Sequence, residues 1–233
     1  MEHLYSHELL EQFKAGKRNF DNVFLRFVDL SNLDLSGICF TNSKLEYTKF
    51  WFSKMKNTKF VNCEIYFCGF LSADVENLVF EKCAIDMTRF DNALMKNTRA
   101  AGCSFSYCLA LNTNLGEFDT QGSTLFKVLT DSKDVTSLTD EEISDALKIV
   151  GNRMEDLPIE IKVEIQKRIT GILEKFNRDP RLSQMQGQEK PYIGAASKAE
   201  ILYGALNSFA DEVMKYGSTG EYASGKKKKD IYK

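Results

Sequence analysis

From Phe20 onward, an apolar residue occupies every fifth position. Stepping by five gives Phe20, Leu25, Leu30, Leu35, Phe40, Leu45, Phe50, Met55, Phe60 and onward to Leu125; 21 of these 22 positions are apolar, Thr120 being the exception. A second column lies two residues earlier and holds small or modest side chains, among them Ser43, Thr48, Ser53, Thr58, Cys63, Cys68, Ala73, Cys83, Thr88, Cys103, Cys108 and Thr113. Residues two apart on an extended segment point to the same side. Each five-residue unit therefore sends one large and one small side chain inward and then turns. Neither a helical period nor simple alternation reproduces this spacing.

The large positions carry a further regularity. Phe40, Phe50, Phe60, Phe70, Phe80 and Phe90 alternate with Leu45, Met55, Ile65, Val75, Ile85 and Met95. A coil with four sides would stack these rings in two columns on opposite walls, with aliphatic columns between them. Alternating large and small layers fill a narrow core well. Two residues after the centres, Asn recurs at Asn22, Asn32, Asn42, Asn57, Asn62, Asn77, Asn92, Asn97 and Asn112. Asn tolerates left-handed dihedrals at a corner.

Units such as Ala73-Asp74-Val75-Glu76-Asn77, Thr58-Lys59-Phe60-Val61-Asn62 and Leu33-Asp34-Leu35-Ser36-Gly37 carry a resemblance. The pattern resembles the pentapeptide-repeat family, with a small residue, a polar residue, a central Leu or Phe and two polar residues. The resemblance covers about half the chain. It implies a mainly β solenoid, a right-handed quadrilateral β-helix of about five coils, with roughly 20 residues per coil.

Four segments are expected. Residues 1–19 hold an N-terminal capping helix over 6–15, with Ser6 at the N-cap, Gly16 past the end, and Leu9, Leu10 and Phe13 on its apolar face. Residues 20–130 form the β-helix. Residues 131–216 form an α-helical C-terminal region. There, Thr139-Asp140-Glu141-Glu142 opens a helix over about 140–151, Pro158 begins another to about 177, and Ser197-Lys198-Ala199-Glu200 opens a third to about Tyr216. Residues 217–233, with Lys226 to Lys229, read as a flexible basic tail.

Composition adds little direction. The chain has 233 residues, 43% hydrophobic and 27% charged, with a net charge of −2, so no global field points to nucleic acid or a membrane. No apolar run is long enough to span a bilayer, and the early charges and histidine leave no leader core. The expected compartment is the cytoplasm, where six cysteines stay reduced. Five of them, Cys63, Cys68, Cys83, Cys103 and Cys108, fall in the small inward column and read as core residues, while Cys39 does not. The only histidines are His3 and His7, and no phosphate loop, zinc spacing or carboxylate dyad appears. No metal, cofactor or catalytic residue is expected, and the chain does not read as an enzyme.

Two surface features remain. Phe27, Tyr47, Phe67, Met87 and Tyr107 recur every 20 residues and should stack as an exposed apolar stripe, continued by Trp51, Phe52, Leu71 and Leu111 on the next wall. The stripe could be covered by the chain's own C-terminal helices, by a second copy in a homodimer, or by a different protein. Lys44, Lys49, Lys54 and Lys59 precede four successive centres and should ring one coil, with Lys56 nearby, as a candidate anion-contact belt. These features point to a protein-interaction scaffold or adaptor. The resemblance suggests an alternative, a gyrase-binding DNA mimic. Residues 20–129 carry 12 acidic and 11 basic side chains, a balance of −1, which is unlike the dense negative charge of duplex DNA.

Overall fold

The computed structural model describes residues 1–130 except 111, 114, 116 and 127, together with residues 159, 162, 163 and 167. The helices expected over 140–151 and 197–216, the tail 217–233, and most of the helix from Pro158 lie outside the described residues; Ile159, Lys162, Val163 and Lys167 are helical.

The chain enters as a short strand, β1 (Glu2–His3), and one helix, α1 (Ser6–Lys14). It then winds through faces of five residues. Face one stacks β2 (Asn19–Asp21), β4 (Cys39–Thr41), β6 (Lys59–Val61), β8 (Val79–Glu81), β10 (Thr98–Ala101) and β13 (Phe118–Asp119) into a parallel six-stranded sheet. Face two stacks β3 (Val23–Arg26), β5 (Lys44–Glu46), β7 (Glu64–Tyr66), β9 (Ala84–Asp86), β11 (Ser104–Ser106) and β14 (Thr124–Phe126), with β1 at its edge. Faces three and four are joined mainly by single parallel bridges such as Asp29↔Lys49 and Asp34↔Lys54; the later rungs of face three widen into β12 (Leu109–Ala110) and β15 (Leu129–Thr130). Pairing between successive coils is parallel with a 20-residue register, as in Phe40↔Phe60 and Leu45↔Ile65. The coil is therefore four-sided, as the ten-residue alternation of Phe predicts.

The turn between faces explains the polar fifth residue. The residue two after each centre adopts positive φ in 17 non-glycine cases, 9 of them Asn, with glycine at Gly37, Gly102 and Gly122. A type II turn demands this conformation at its third residue. It costs an ordinary L-residue roughly 1–2 kcal/mol, and Asn less. The corner amides are then used: Asn62 Nδ2 donates to Asn42 Oδ1 at 2.7 Å, and Asn112 donates to Asn92 at 2.7 Å.

Every centre from Phe20 to Ala110 is at most 3% exposed. Rings in one column stack nearly parallel, Phe60 on Phe80 at 5.3 Å and Phe50 on Phe70 at 4.9 Å. Across the core the two columns meet edge to face, Phe60 against Phe70 at 6.2 Å and 90°. Where the columns shrink to Ala100 and Ala110, Phe105 enters from face two and meets Phe80 edge-on at 6.1 Å.

The small inward column has a second task. Most of its hydroxyls and thiols donate to carbonyls of the core-facing backbone, Thr58 being an exception. Ser53 Oγ reaches Phe50 O at 2.7 Å, Thr113 Oγ1 reaches Phe90 O at 2.7 Å, and Thr98 Oγ1 reaches Val75 O at 3.2 Å. These carbonyls sit where water does not enter, and leaving them unpaired would cost about 1–3 kcal/mol each.

At the N-terminal end, β1 pairs with β3 (Glu2↔Val23), and α1 buries Leu9 completely. The N-cap is Tyr5, one residue before the expected Ser6; its N–H donates to Glu8 Oε2 at 3.0 Å. Glu8 lies three residues beyond Tyr5, where an N3 carboxylate reaches back. At the other end Leu125 is 53% exposed, because β14 has a strand neighbour on one side only.

Phe60 touches rings above, below and across. We expect Phe60→Ala to lower unfolding free energy by about 3–5 kcal/mol, measured by urea denaturation. A loss under about 1 kcal/mol would mean that the aromatic columns do not carry the core.

Candidate interaction surface

Side chains at the left-handed corners leave the core and set what each edge of the coil presents. Between faces two and three the corner column is Phe27, Tyr47, Phe67, Met87 and Tyr107. It stacks as its spacing predicts: Phe27 on Tyr47 at 5.1 Å and 12°, Tyr47 on Phe67 at 5.2 Å and 20°. The expected exposure is corrected. These residues are 7%, 2%, 2%, 5% and 6% exposed in chain order, as buried as the core. Part of the reason is local. Each ring covers its neighbour's face, and the Arg26 guanidinium lies 5.1 Å from the Phe27 centroid while pairing with Glu46 at 3.3 Å. The stripe is stacked and buried and offers no free surface.

The next corner, between faces three and four, runs Asn32, Phe52, Ser72, Asn92 and Asn112. Phe52 has φ 56° against 52° for Tyr47, yet it is 56% exposed. Trp51 and Leu71 are half-buried beside it on face three. Leu94, which the periodicity did not single out, is 53% exposed on face four. Leu111 lies outside the described residues.

Trp51 has a prepared seat. Gly69 lies on the next rung of face three, and a Cβ there would overlap the indole Nε1. Lys49 lies 4.8 Å from the Trp51 ring and 3.8 Å from Asp29. A glycine at an outward position one rung above a tryptophan was the available sequence signal; it becomes legible only once the 20-residue register is known.

The lysines do occupy all four faces of one coil, but three of the five are already paired. Lys44 bonds Glu46 at 3.1 Å and Glu64 at 3.7 Å. Lys49 pairs with Asp29, and Lys56 bonds Glu76 at 2.7 Å and Asp74 at 3.2 Å. The Lys56 hydrogen bond holds the Glu76 carboxyl below its ordinary range, and Glu76 with Asp74 raises the Lys56 ammonium. Lys54 and Lys59 stand exposed and form no ion pair among the described residues, so the belt is largely neutralised and is not a concentrated anion site. At solvent-exposed positions such pairs contribute at most about 1 kcal/mol; their effect here is on charge pattern.

No family model matches the sequence, and no curated protein matches it. Solved structures similar to the chain include a pentapeptide repeat protein from the cyanobacterium Cyanothece, 13% identical, covering 52% of this chain and 97% of that one, with a TM-score of 0.49. A pentapeptide repeat protein of the Arabidopsis thaliana thylakoid lumen is 21% identical over 51% of this chain and 77% of that one, with a TM-score of 0.36. A trypsin-treated variant of a plasmid-mediated fluoroquinolone resistance protein is 16% identical over 57% of this chain and 89% of that one, with a TM-score of 0.31. The five-residue faces and 20-residue register of the chain itself identify the pentapeptide-repeat architecture.

Two substitutions test this surface. Tyr47→Asn exchanges a buried stacked ring for a residue suited to the corner; it should destabilise by about 3 kcal/mol net, the packing loss outweighing the relieved dihedral. A neutral result in denaturant titration would mean that the stripe is not packed. Gly69→Ala should push out the indole of Trp51, the single tryptophan, and shift its fluorescence to the red. Unchanged emission would show that the ring does not rest on Gly69.

Proposed function

Taking the chain as a pentapeptide-repeat solenoid, we propose that it is a non-enzymatic scaffold binding another protein through the flank around Phe52. One observation carries this reading. Phe52 bears two local costs at once: a left-handed backbone that penalises a bulky residue, and a ring 56% exposed to water. Asn fills the same corner on other rungs, at Asn32, Asn92 and Asn112, and meets neither cost. Residues that break a local rule without structural return cluster where function demands them. Trp51 and Leu71 extend the apolar contact, and exposed Lys54 flanks it. The partner it suits offers an apolar pocket edged by a carboxylate, since aromatic residues dominate interface cores and charges their rims. The densely filled core supports a binding role over catalysis, because a ligand pocket needs open volume.

The gyrase-binding alternative asks for a long, one-signed rod. The outward charges here alternate in sign along the faces, in pairs such as Arg89–Asp91 at 2.6 Å and Lys56–Glu76. A supercoiling assay should accordingly show no inhibition at micromolar protein.

Phe52→Asn separates function from folding. The variant should be more stable, by about 1 kcal/mol, while its recovery of the partner captured by the tagged full chain falls at least tenfold. Undiminished recovery, or repeated failure of the full chain to capture any specific protein, overturns the proposal.

A further inference from the structure

The small inward column of face two reads Val23, Ser43, Cys63, Cys83, Cys103 and Ser123. Three thiols thus occupy successive rungs, each immediately preceding the in-register strands β7, β9 and β11. All three are free thiols, at most 4% exposed. The Cys83 N–H donates along the column to Cys103 Sγ at 3.4 Å, and the neighbouring Cys83 thiol pulls the Cys63 thiol below its ordinary range. The hydrogen bond to Cys103 lowers Cys83, but its bond to Cys63 and its burial outweigh that and raise it to about 12; the bond to Cys83 raises Cys103 in turn. Cys68 and Cys108 provide the contrast. They share the small column of face three, but Thr88 lies between them, and burial is the main influence that pushes each up to about 12.

Rung spacing fixes what three such thiols can hold. Parallel in-register strands repeat at about 4.8 Å. A disulfide needs Cβ atoms about 3.8 Å apart, so it would have to draw two rungs together. Two collinear metal–thiolate bonds of roughly 2.3 Å span about 4.6 Å, close to the undistorted repeat. Among the described residues no group of three or more His, Cys, Asp or Glu side chains is arranged to hold a metal ion, so a tetrahedral zinc cage does not fit. Thiolate pairs select soft cations, cuprous copper foremost. A surface pocket of about 360 Å³ reaches the column, with Asn42, Asn62, Cys63, Glu64 and Lys82 in its lining. It supplies an entry, lined by side chains of both signs, Lys82 and Glu64.

We propose that the Cys63–Cys83–Cys103 ladder is a binding site for one soft two-coordinate cation, cuprous ion in particular, held between sulfurs on adjacent rungs. Binding breaks two S–H bonds, forms two metal–sulfur bonds and releases two protons to solvent; no redox change occurs. The thiols give up their weak bonds to core carbonyls, such as Cys83 Sγ to Phe60 O at 3.3 Å.

The test is anaerobic titration of the reduced full chain, in a Cys39→Ser background, with cuprous ion delivered from a weak chelator. Ultraviolet sulfur-to-metal absorption reports ligation, and native mass spectrometry reports stoichiometry. One copper per chain is expected, retained in Cys68→Ser and Cys108→Ser. Cys83→Ser should abolish it, because the remaining sulfurs lie two rungs, about 9.6 Å, apart. Serine already fills this column at Ser43 and Ser123, so the variant should fold. The Cys63→Ser, Cys103→Ser double variant leaves one ladder thiol, Cys83, and should also lose copper. Absence of bound copper in the background protein overturns the proposal, as does full retention in either ladder variant.

Discussion

One conformational demand organises this molecule: from Asn22 to Asn112, every fifth residue enters the left-handed region. It ends each short strand before the strand can lengthen, and it turns the chain by a quarter of the coil. The 20-residue register, the four faces and the inward pairing of large with small side chains all depend on that turn. So do the hydrogen bonds. Phe50 N–H bonds Gly69 O at 2.7 Å and Phe70 N–H bonds Arg89 O at 2.7 Å, so each coil is held by the next as in any parallel sheet. Because the turn is costly for bulky residues, the corner composition records where something other than folding has been selected. Asn marks corners that turn the chain and join rung to rung through their amides. Aromatic residues mark corners with a further role, stacking at Tyr47 and exposure at Phe52.

Much of this was legible in the sequence, because a solenoid converts sequence distance directly into position. The spacing of Phe40, Phe50 and Phe60 gave the even-sided coil and the two opposed columns; Asn at the corners gave the left-handed turns. Environment stayed hidden. Tyr47 and Phe52 occupy equivalent positions with similar dihedrals, yet one is 2% exposed and the other 56%. Period assigns a residue to a corner but does not say what lies against it. The lysine belt misled for a related reason. Lys44 and Glu64, or Lys56 and Glu76, look remote until the 20-residue register makes them neighbours. The N-cap moved by one residue because Tyr5 pairs its backbone with Glu8, a contact that outweighs the ordinary preference for serine.

The small column shows how one position can satisfy two requirements. Only a modest side chain fits beside a phenylalanine column, and a bare core carbonyl needs a donor. Serine, threonine and cysteine meet both; alanine at Ala73 and Ala93 meets only the first. Cysteine is the most apolar of the three donors, which suits it to the driest layer and places thiols on consecutive rungs as a by-product of packing.

The fixed register also governs how such a chain can change length. Inserting or deleting one residue would move every downstream centre out of the core. A change of five would restore the inward pattern but rotate all later faces by a quarter turn, bringing Phe70 and Phe80 onto the aliphatic walls. Ten would return rings to ring-bearing walls while exchanging the two walls. Only a change of twenty leaves every face aligned, translating the downstream coils by about 4.8 Å along the axis. Evolution by insertion is thereby quantised, and the Phe52 flank can be moved along the rod in whole coils but not slid around it gradually.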